Sequence, residues 1–138
     1  MPPPFNINIK KKIMIFTDEK IEELARFADD SFDFKELIKN KLVGFAIEAL
    51  DGRLFAAGFN YINEHSDKVP EKFHNNIVEF VDCALAKDWL KIPEIGQETL
   101  SELGNIKWLP DELEAIISKD LLTMFVHIIL FYAEKNKE

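Results

Sequence analysis

The residue types best suited to nucleophilic or metal chemistry are few in this chain: His65, His74, His127 and the single cysteine, Cys83. A structural zinc site takes four ligands, commonly in closely spaced pairs such as Cys-x2-Cys or His-x3-His. No such pair occurs among the four residues, so no metal and no cofactor is expected. A Cys-His nucleophile pair would need Cys83 beside His74, nine residues earlier on the same predicted helix. Nine residues of helix amount to a half-turn offset and about 13 Å of rise, which keeps the two apart. Cys83 is therefore read as a small buried hydrophobe, and His127, on an apolar helix, as a core histidine.

Other signatures are missing in the same way. There is no Gly-x-Ser-x-Gly, no glycine-rich phosphate loop and no dinucleotide fingerprint. A hairpin reading of residues 43 to 61 would resemble the early strands of a zinc nucleoside deaminase. That family needs a His or Cys with a glutamate two residues on and a Pro-Cys-x-x-Cys. His74 is instead followed by Asn75 and Asn76, and the second motif does not occur.

The remaining candidates recognise rather than react. Asp29, Asp30 and Asp33 form an acidic turn, and Trp89 and Trp108 flank the least regular stretch of the chain. Tryptophan is favoured at binding hot spots, so these five residues are the expected partner-binding set. The alternative is a small-molecule or enzymatic pocket near the C-terminal helix. It would be built around His127 and Tyr132, polar groups in an apolar setting.

The elements that must position these residues read as helices. Thr17 is a cap with Asp18 and Glu19 behind it, and Ile21, Leu24, Ala25 and Ala28 follow at helical spacing to a stop near Asp29–Ser31. Asp33 with Glu36 three residues on is a capping box for a second helix. A stripe from Ile38 to Ala49 resumes in phase at Leu54, Ala57, Gly58, Tyr61 and Ile62. Asp51-Gly52 between apolar runs is a hairpin signal, but the period favours helix, so residues 45–60 stand between the two readings with helix preferred. Pro70 opens the next helix at its first position, with Phe73, Ile77, Val81 and Ala84 inward. A short helix over 97–103 is predicted between Gly96 and Gly104. Pro110 starts the last one, lined by Leu113, Ile117, Leu121, Met124, Ile128 and Phe131. From Leu121 to Ala133 that helix is apolar nearly all round, the mark of a bundle centre or an oligomer interface. The window is shorter than the roughly 20 residues of a membrane span.

Residues 5–9 alternate apolar and Asn behind three prolines, which predicts an extended arm or edge strand over residues 1–16. The fold class expected is therefore mainly α, a single-domain bundle of five to six helices over 17–138 behind that arm. The net charge is −8, and because the first sixteen residues carry Lys10, Lys11 and Lys12 and no acid, the rest carries −11. Such a body repels phosphate backbones and suits a basic partner. One cysteine and no visible secretory signal fit a reducing, cytoplasmic setting. The expected function is non-catalytic: an acidic helical module that neutralises or holds a basic protein, as immunity-type inhibitors and chaperones do, with no nucleic acid or membrane as partner. Self-association through the N-terminal arm or the C-terminal helix is a further expectation.

Overall fold

The computed structural model describes residues 14–39, 52–105, 107 and 112–136. Among them stand six α-helices and no strand: α1 (Asp18–Ser31), α2 (Phe34–Lys39), α3 (Gly52–Glu64), α4 (Glu71–Leu85), α5 (Ile92–Gly104) and α6 (Leu113–Lys135), with a 3-10 turn at Ser66–Lys68. The mainly α bundle read from the sequence is thus the fold. The strand pattern at residues 5–9, the segment 45–51, Trp108 and Pro110 lie outside the described residues. Gly52 to Asn60 is helix, so the hairpin reading fails for that part of the segment.

The packing order runs α1 on α3, α3 on α6, α6 on α5, and α5 on α4. This places α6 at the centre. Phe125, Val126, Ile128, Ile129 and Ala133 are wholly buried there. By length and hydropathy α6 is also capable of crossing a bilayer, since its 23 residues exceed the window judged from sequence. Half of its most apolar window is, however, buried against the other helices.

Phenylalanine builds the core. Phe125 meets the rings of Phe55, Phe59 and Phe80 edge-on at 5.3–6.4 Å between centroids. Phe32 meets Phe27, Phe55, Phe125 and Tyr132 at 5.8–6.0 Å. Edge-on pairs at these distances add about 0.5–1.5 kcal/mol each beyond area burial. Phe16, assigned above to the arm, is buried against Phe59. Its peptide is held on both sides by the Asn63 amide, which accepts from Phe16 N–H at 2.9 Å and donates to Phe16 C=O at 2.8 Å.

Several local expectations are corrected. The inward face of α3 is set by Phe55 and Phe59, both fully buried, whereas Ala57 is exposed. Pro70 caps α4 from outside and does not begin it. The helix α5 starts at Ile92, five residues earlier than predicted, with Pro93 in its first turn. Gly96 lies inside α5, and its breaking tendency is overridden by packing. A Cβ there would come within 2.6 Å of Leu130 and 3.2 Å of Phe80, so glycine is what lets α5 approach α6. Leu113 and Ile117, predicted inward, are 73% and 46% exposed. Ala115 and Ser118 turn inward in their place.

Candidate functional site

The acidic turn that ends α1 is partly structural. Asp29 accepts a hydrogen bond from Gly52 N–H at 2.8 Å, supplying the start of α3 with a carboxylate across 23 residues of chain. Asp33 accepts from Glu36 N–H at 3.2 Å and so caps α2, as its spacing implied. The Asp33 N–H in turn donates to the Tyr132 hydroxyl at 2.8 Å. Asp30 is exposed.

Trp89 stands half-buried in the connection between α4 and α5. It lines a cavity of about 270 Å³ together with Ser31 and Phe32, next to the acidic turn, and with Tyr132 and Ile129 of α6. The structure therefore brings Trp89 and Tyr132, which the sequence placed in rival sites, to one place beside Asp30 and Asp33. His127 is not part of it. It is exposed, because Asp120, His127 and Glu134 recur every seven residues and form the outward line of α6. That spacing was legible in the sequence and argues against the core-histidine reading.

The other histidines serve the fold. The His65 ring stacks on Tyr61 at 4.1 Å and its Nδ1 lies 3.1 Å from the Tyr61 carbonyl oxygen. His74 Nε2 lies 3.3 Å from the Ser66 carbonyl oxygen. Cys83 is buried on α4, and burial pushes its thiol up from the ordinary value. A protonated, buried thiol is a poor nucleophile. No group of three or more His, Cys, Asp or Glu among the described residues is placed to hold a metal ion.

The second recess is one that no sequence motif marks. Between α1 and α3 runs an open groove of about 400 Å³, walled by Ile21, Ala25 and Ala56 and rimmed by Asp18, Glu19 and Glu22, with Arg53 and Asn60 on the α3 side. The six acids of α1 are all exposed, and the helix itself carries two bases, with Arg53 across the groove. Lys20 is drawn to Asp82 at 3.3 Å and Arg26 to Glu22 at 3.8 Å. The surplus of four is half of the chain's net charge of −8, concentrated on one 14-residue helix. Screening at physiological salt acts over about 8 Å, so these carboxylates act on a partner only at contact range.

No protein-family model matches the chain, and no curated protein or solved structure matches it.

Proposed function

We propose that this chain is a non-catalytic, acidic helical module that holds or neutralises a basic protein partner. The observation that supports it most is the concentration of charge on α1, where Asp18, Glu19 and Glu22 rim a groove with an apolar floor. A lysine or arginine fits such a groove, with its methylenes on the alanines and its cationic head among the carboxylates. Asp30 extends the acidic surface toward Trp89. The test is affinity capture from the native host with the wild-type chain and with a Glu19→Lys, Glu22→Lys variant, at about 0.1 M and about 1 M salt, where the screening length falls from about 10 to 3 Å. One basic protein held at low salt by the wild type and released by either change supports the reading. Retention indifferent to both sinks it.

A second reading, self-association through the C-terminal helix, is favoured by the apolar start of α6. Leu113, Ile116 and Ile117 are exposed there, and Leu113 and Ile117 border a shallow recess of about 350 Å³ with Leu54, Ala57 and Leu121. Light scattering on the wild type and on Ile117→Glu separates a dimer broken by that change from a monomer.

A further inference from the structure

The cavity beside Trp89 differs in charge from the rest of the molecule. The chain carries 25 acidic residues against 17 lysines and arginines, yet no carboxylate lines this cavity and one lysine, Lys87, does. Its walls are aromatic, from Phe27, Phe32 and Trp89. Its polar side chains, Ser31, Lys87, Tyr132 and Asn136, each carry a donor, and Asn136, whose Nδ2 donates to the Tyr132 carbonyl oxygen at 2.8 Å, adds one amide oxygen that only accepts. Lys87 bears an ammonium and Ser31 a hydroxyl. The Tyr132 oxygen already accepts from Asp33 N–H, which leaves its own O–H to donate.

Lys87 adds an independent observation. It is the only non-glycine among the described residues with a positive φ, 56°. It occupies the left-handed position that closes α4: Asp88 N–H donates to Cys83 C=O at 2.9 Å and Lys87 N–H to Ala84 C=O at 3.0 Å. Glycine is the residue that fits this position without strain, and a side chain with a Cβ is disfavoured there. Glycine would close the helix equally well, so the lysine carries a conformational cost that the helix end does not require. Lys87, exposed to solvent, is also the charged residue that borders the aromatic cavity.

We infer that this cavity is a binding site for a small planar aromatic anion, an aryl carboxylate of one or two rings, with the ring between Trp89 and the phenylalanines and the carboxylate toward Lys87 and Tyr132. A volume of about 270 Å³ falls just under the roughly 300 Å³ from which ligand sites usually run, and this limits the ligand to that size. The inference does not depend on the basic-partner reading, whose groove lies at the opposite end of α1.

The test follows the Trp89 indole N–H by NMR in the full chain, titrated with 2-naphthoate and with 2-naphthylmethylammonium, a cation of similar shape. Saturable displacement by naphthoate, with the cation about tenfold weaker or more, is expected from one charge-assisted hydrogen bond. Lys87→Gly separates charge from fold, because it relieves the backbone and removes the ammonium. It is expected to raise the thermal midpoint while weakening naphthoate about tenfold. An absence of saturable shifts, equal binding of the two probes, or a Lys87→Gly chain that binds naphthoate as the wild type does would each overturn the inference.

Discussion

The two ends of α1 face different chemistry. At its start, Asp18, Glu19 and Glu22 border an open groove against α3. At its finish, Phe27 and Ser31 border an aromatic cavity closed by Trp89 and Tyr132, with Lys87 as the charged lining. One amphipathic helix thus borders an open, acid-rimmed groove whose charge is screened by salt, and an aromatic recess with a single lysine. The contrast extends to stability. The acids on the groove rim are exposed and exchangeable, whereas Phe32 and Ile129 in the cavity wall belong to the buried core.

Substitutions can break that contrast. The largest effect is expected for Phe32→Ala, which removes a buried ring contacting four others. It should cost about 3–5 kcal/mol in urea unfolding, while Glu19→Gln at the other end stays within about 0.5 kcal/mol. Equal effects would abolish the distinction. Next comes Gly52→Ala, where a Cβ would run into the backbone carbonyl of Ala25. Forcing α3 from α1 is expected to cost about 1–3 kcal/mol, as overpacking does, and to disturb the groove before the cavity. Chemical-shift mapping would show which end moves.

Lys87→Gly works in the opposite direction. Relief of the left-handed backbone is expected to stabilise the chain by about 1 kcal/mol, partly offset by glycine's greater freedom in the unfolded state.

The smallest effect lies away from both ends and serves as a control. The Tyr61 hydroxyl is buried with no hydrogen-bond partner among the described residues. Burial, and after it the carboxylates of Glu112, Glu114 and Glu64, push its pKa above the ordinary value. An unfolded chain releases that proton near pH 10 while the folded chain keeps it. Tyr61 therefore leaves stability unaffected below about pH 10 and lowers it as pH rises beyond. Tyr61→Phe should be neutral or stabilising by up to about 1 kcal/mol at pH 7, and should flatten the alkaline fall in melting temperature. A steeper fall would contradict the assignment.

How much of this was legible in the sequence depends on how local each cause is. Thr17 accepts from Lys20 N–H at 3.1 Å and Asp33 from Glu36 N–H. Both caps act within three residues, and both were read correctly. The start of α5 was missed because Gly96 reads as a breaker until Leu130 and Phe80 are seen against it. His127 lies in dense apolar sequence, yet the line of Asp120, His127 and Glu134 marks the outward face of α6. The acids at 29 and 33 were visible as a cluster, but Asp29's bond to Gly52 N–H, 23 residues away, was not. The cavity draws its lining from α1, the α4–α5 connection and α6, so no single window of sequence shows it. Only its separate members, Trp89 and Tyr132, stood out.

The central claim, that the acidic start of α1 holds a basic partner, is tested most directly by retention of a captured host protein on the wild type and on the Glu19→Lys, Glu22→Lys chain across a salt series. The expected result is one basic protein in stoichiometric amount, bound by the wild type at about 0.1 M salt, lost toward 1 M as screening shortens, and never bound by the reversed-charge chain. A partner bound equally by both chains at every salt concentration, or no partner at all, would contradict it.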